Sequence, residues 1–90
     1  MMAKKIILAI VGSENAESVL NALVAHQYPV TRISSTGGFL RRGNITLLVG
    51  VDEDSLSSAL DVIRFACHKE QPDEHRATIF VLSAAAFEQI

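Results

Sequence analysis

The sequence holds a single cysteine, Cys67. One thiol cannot form an internal disulfide, and it excludes a paired-cysteine metal or redox site. An excess of one charge is missing too: ten acids against eight lysines and arginines leave a formal net charge of -2. No global field therefore favours a nucleic-acid backbone. Long hydrophobic runs are absent. Lys4 and Lys5 precede only six consecutive apolar residues, 6–11, before Gly12, Ser13 and Glu14. That is short for the core of a signal peptide and far too short to span a bilayer, so a soluble, cytoplasmic protein is expected. The strand-like segments carry one aromatic residue, Phe80. A stand-alone RNA-binding sheet needs exposed aromatics and a basic surface, and the sequence supplies neither. No linker, low-complexity tract or short repeat divides the 90 residues, which are expected to form one domain, 1–90.

Chemistry-bearing clusters are equally scarce. His26, His68 and His75 have no metal-ligand spacing relative to one another. Asp52, Glu53 and Asp54 read as a helix-capping cluster. No nucleophile–base arrangement stands out. Neither a metal, a cofactor nor a catalytic centre is expected. Cys67 falls on the apolar stripe of a helix and reads as a buried structural thiol.

What is present is a high apolar fraction, 49%, in a pattern that excludes a disordered chain. Residues 6–11 are apolar at every position and rich in β-branched side chains, as in a strand covered on both faces. Ser13 is expected to cap a helix with Glu14 and Glu17 in its first turn. Its apolar stripe is Ala16, Val19, Leu20, Leu23 and Val24. The helix is expected to fade near His26, because Pro29 forbids its continuation. Residues 30–35 alternate partly, as an outer strand does. Residues 45–51 form a second largely apolar strand with Gly50 inside it, where a glycine leaves room for a neighbouring backbone or a ligand. Asp52 or Asp54 is expected to cap a second helix, with the stripe Leu56, Ala59, Leu60, Ile63 and Cys67. After a polar loop at 68–76, residues 78–82 form the fourth strand.

The order βαββαβ predicts a ferredoxin-like α+β sandwich: a four-stranded antiparallel sheet with both helices on one face. Two helices cover only one side of the sheet. The first and third strands are nevertheless apolar on both sides, and the fourth nearly so. The open face needs a cover, and self-association is the simplest one.

Residues 34–44 join the second and third strands and have an odd composition for a turn. Ser34, Ser35 and Thr36 enter, Gly37 and Gly38 allow close backbone approach, Phe39 and Leu40 form an apolar pair, and Arg41 and Arg42 precede Gly43 and Asn44. Backbone N–H groups beside paired glycines can form an anion nest, arginines suit phosphate, and Phe39 suits a flat ring. A long hairpin turn with solvated arginines is the plainer alternative.

The run Thr36-Gly37-Gly38-Phe39-Leu40-Arg41, followed by Gly43-Asn44, resembles the loop signature of the PII-like cyclic di-AMP receptor family. The N-terminal Ile-Ile-Leu-Ala-Ile-Val run is similar as well. So is the C-terminal Ala-Thr-Ile-Phe-Val-Leu at 77–82, with Ala86, Phe87 and Gln89. The resemblance implies a homotrimer with one dinucleotide in each cleft between subunits. A downstream protein would receive the signal. It also implies that Thr31, Phe39, Leu40, Asn44, Gly50, Phe80 and Gln89 lie around the ligand, with Thr36, Gly37, Gly38 and Arg41 in the signature loop. Asn44 and Gln89 carry amides suited to an adenine edge, and Phe39 and Phe80 offer ring faces or edges.

Two departures accompany the resemblance. Pro29 stands where family members often place an arginine, and the long loop before the last strand shrinks to about 68–76. Weaker dinucleotide binding than is usual for the family is therefore expected. Three alternatives stay open at this point: an adenine mononucleotide, an amino acid bound as in regulatory domains of the same topology, or a scaffold without ligand. An acylphosphatase, also βαββαβ, is disfavoured because its phosphate loop would be Gly12-Ser13-Glu14, where the acid repels phosphate.

Overall fold

The unbroken aliphatic run at 6–11 forms the middle of the first strand, as its β-branched content dictates. The computed structural model describes residues 4–33, 44–67 and 77–84. Their elements run β1 (Lys4–Gly12), α1 (Ser13–Ala25), β2 (Val30–Ile33), β3 (Asn44–Asp52), α2 (Leu56–Ala66) and β4 (Ala77–Ala84). A 3-10 turn over Glu53–Ser55 joins β3 to α2. The strands form one antiparallel sheet in the order β2-β3-β1-β4. This is the ferredoxin-like α+β arrangement expected from the element order. No described helix is long and apolar enough to cross a membrane.

Alternation along the two central strands divides their side chains between the faces. Ile7, Ala9 and Val11 of β1 and Leu47, Val49 and Val51 of β3 pack with Val19 and Leu23 of α1 and Ala59 and Ile63 of α2. Each fully buried aliphatic side chain of this kind contributes about 1.5–3 kcal/mol. Cys67 lies just past α2, half-buried and packed against this core.

The helix ends differ in detail from the sequence expectation. Ser13 is the first helical residue of α1; Gly12 occupies the capping position, and no side chain caps there. Asn15 is buried, whereas Val24 is exposed. The stripe centres on Ala16, Val19 and Leu23, and residue 24 lies about 100° further round the helix. Neither Asp52 nor Asp54 caps α2, because the 3-10 turn intervenes and Ser55 takes that position. Asp52 instead pairs with Lys4 at 2.8 Å.

The C-terminal end of α1 is closed by backbone hydrogen bonds. Gln27 N–H donates to Val24 O at 2.9 Å, and Tyr28 N–H donates to Leu23 O at 3.0 Å. This is the Schellman pattern, which needs a left-handed residue just past the helix. Gln27 supplies it with φ 66, a conformation that costs a side-chain-bearing residue about 1–2 kcal/mol. Gln27→Gly removes that cost but adds chain entropy to the unfolded state. A net gain of about 0.5–1 kcal/mol is expected, read as a higher urea midpoint with an unchanged slope.

Candidate functional site

Residues opposite each other in a sheet share a face, so the register defines what the uncovered side presents. Ile6 of β1 lies between Gly50 of β3 and Leu82 of β4. The next row is Thr31, Leu48, Leu8 and Phe80, reading from β2 across to β4. The row after it is Ile33, Thr46, Ile10 and Thr78. Phe80 and Leu82 are 51% and 49% exposed. The described face is thus an apolar surface, as anticipated.

Of the residues singled out in the sequence, Thr31, Asn44, Gly50 and Phe80 lie in described elements, and all four share this open face. They do not form one cluster. Thr31 and Phe80 sit in the same row on the two edge strands, three strand spacings or about 14 Å apart. Asn44 opens β3, opposite Gly12, and lies about 13 Å along the strand from Leu48. Thr36, Gly37, Gly38, Phe39, Leu40, Arg41 and Gln89 lie outside the described residues.

Two plainer explanations fail here. Phe80 is not a core residue, since half of it faces solvent. Gly50 is not demanded by packing among the described residues, because a Cβ there meets none of them within 4 Å. Among the described residues, the space beside Ile6 on the open face is unfilled.

The described cations are already engaged. Lys4 pairs with Asp52, Arg32 with Glu17 at 3.0 Å, and Arg64 with Asp61. Lys5 donates to the Ser83 hydroxyl at 2.8 Å. No group of three or more metal-ligating side chains occurs among the described residues.

Two polar groups that sequence reasoning did not place here also belong to the open face. Thr46, one step along the face from Asn44, is 6% exposed, and its hydroxyl has no hydrogen-bond partner among the described residues. Its signal in the sequence was its polarity within the otherwise apolar stretch at 45–49. The other is Glu14, whose carboxylate lies over Gly12. No sequence pattern reveals that contact, since it depends on how α1 leaves β1.

The sheet, with helices on one side and an open apolar face bearing Thr31, Asn44, Gly50 and Phe80, defines a ferredoxin-like α+β protein. The family model described as cyclic-di-AMP receptor matches residues 4–73, and the chain belongs to that family, as a PII-like nucleotide-binding signalling protein. Its fold is similar to the crystal structure of a functionally unknown protein from Pediococcus pentosaceus ATCC 25745, with a TM-score of 0.83, 31% identity and 100% of each chain covered. It is also similar to Arabidopsis thaliana PII bound to citrate, with a TM-score of 0.68 and 19% identity, covering 92% of this chain and 78% of that one. The second likeness is one of fold alone.

Proposed function

We propose that this protein is a non-catalytic cytoplasmic sensor that assembles as a homotrimer. It binds one cyclic di-AMP in each cleft between subunits and passes the signal to a partner protein. The observation that carries this reading is the spread of Thr31, Asn44, Gly50 and Phe80 around the margins of one apolar face. One flat base cannot touch both edge strands of a single subunit. It can touch the edge of one subunit and the face of the next.

In this reading the open faces bury one another, and the adenines lodge where the margins meet. Asn44 and Gln89 read an adenine edge, Phe39 and Phe80 contact the rings, and Thr31, Leu40 and Gly50 line the cleft. The backbone of Gly37 and Gly38, with Thr36 and Arg41, holds the phosphates. Ligand binding orders nearby backbone and changes the surface that the partner meets.

Light scattering tests the assembly on which all of this depends. The purified protein is expected to have three times the 9.8 kDa chain mass at micromolar concentration. A stable monomer under those conditions overturns the proposal.

A further inference from the structure

Gly12 ends β1 directly opposite Asn44. Its backbone, at φ -57 and ψ 143, is ordinary for any residue. The three nearest atoms to a Cβ there all belong to the Glu14 carboxylate, with Oε1 at 2.8 Å and Cδ and Oε2 at 3.0 Å. Conformation does not require glycine at this position, and the closest contact that a side chain would make is with Glu14. What the missing side chain leaves room for is a carboxylate. Helical side chains tilt towards the N-terminus, so Glu14, near the start of α1, reaches back over the end of the strand.

Directly opposed positions hold their Cβ atoms about 4.5–5.5 Å apart, so this carboxylate stands within about 8 Å of the Asn44 Cβ on the same face. Glu14 takes part in none of the ion pairs among the described residues. The buried Thr46 hydroxyl, without a hydrogen-bond partner among the described residues, is the next group along the face. Buried polar groups are nearly always paired, and the described residues leave this one without a partner.

We infer that Glu14 is a selectivity residue of the nucleotide site, accepting a hydrogen bond from the exocyclic amine of the base that Asn44 reads. This rests on the dinucleotide-binding reading above. An asparagine amide engages adenine through one N6 hydrogen and N7. The second N6 hydrogen remains, and an ionised carboxylate, which only accepts, suits it. A 6-oxo purine presents lone pairs at the same place and meets the negative charge unfavourably. The same charge repels the phosphates of any nucleotide, so Glu14 raises discrimination while limiting overall affinity.

The test is calorimetric titration of the full chain with cyclic di-AMP and cyclic di-GMP, comparing wild type with Glu14→Ala, Gly12→Ala and Asn44→Ala. Glu14 is exposed, so its removal leaves the fold intact, and circular dichroism verifies this for each variant. Glu14→Ala is expected to lower the preference for cyclic di-AMP at least fivefold. Gly12→Ala, whose methyl evicts the carboxylate without altering any charge, is expected to lower it similarly. A preference unchanged within twofold in both variants, with Asn44→Ala still weakening binding, overturns the role of Glu14 alone. Failure of the wild type to bind either dinucleotide overturns the underlying reading and this inference with it.

Discussion

Leu8→Glu is expected to convert the proposed trimer into a folded monomer that does not bind cyclic di-AMP. Leu8 occupies the centre of the open face, with Leu48 on one side and Phe80 on the other. In an isolated chain it is only half-buried, so a glutamate there keeps its carboxylate in water at little cost. In the proposed trimer that carboxylate would be enclosed against neighbouring copies. Removing an ion from water costs several kcal/mol even after relaxation, and a closed trimer incurs this at every subunit. Light scattering reads the mass and circular dichroism reads the fold. A variant that remains trimeric would show that the open face is not the assembly surface. The opposite strand face provides the contrast. Leu47→Ala removes a fully buried core side chain and is expected to cost about 2–5 kcal/mol of folding stability.

Gly50→Val separates ligand space from fold stability. A Cβ at this position meets none of the described residues within 4 Å, and valine is a better strand residue than glycine. The isolated chain should therefore be as stable as the parent or slightly more so. If the space beside Ile6 holds the ligand or the adjoining subunit, the added methyls overfill it. Overpacking of a well-fitted site costs about 1–3 kcal/mol, or roughly five- to 150-fold in dissociation constant. Denaturant midpoint and calorimetric affinity are to be measured on the same preparation. Unchanged affinity would remove Gly50 from the site.

The fold was legible because its signals are long and redundant. Residues 6–11 and 45–51 are too uniformly apolar to be loops, and the stripes through Val19 and Leu23 and through Ala59 and Ile63 have helical spacing. The ends were less legible because several residues compete for each cap. Ser13, Asp52 and Asp54 are all good capping types, yet backbone geometry at Gly12 and the 3-10 turn gave the positions to others. Val24 faces outward and Asn15 inward for a similar reason: one residue of helical rotation decides burial, and composition does not fix it.

The candidate site was legible by residue type rather than by arrangement. That Thr31 and Phe80 share a row follows from strand register, which no local pattern specifies. The carboxylate over Gly12 is less visible still, since it joins a strand end to a helix start through side-chain direction. Glu14 reads in the sequence as a first-turn acid that complements the helix dipole. Only the three-dimensional arrangement brings it to the face that carries Asn44.

The most direct test is a calorimetric titration of the wild-type protein with cyclic di-AMP, set beside cyclic di-GMP, ATP, ADP and AMP. Saturable binding of cyclic di-AMP is expected, at one dinucleotide per chain, with each of the other nucleotides at least tenfold weaker, about 1.4 kcal/mol. A folded trimer that gives no binding heat with cyclic di-AMP, or that binds one of the other nucleotides more tightly, would contradict the account.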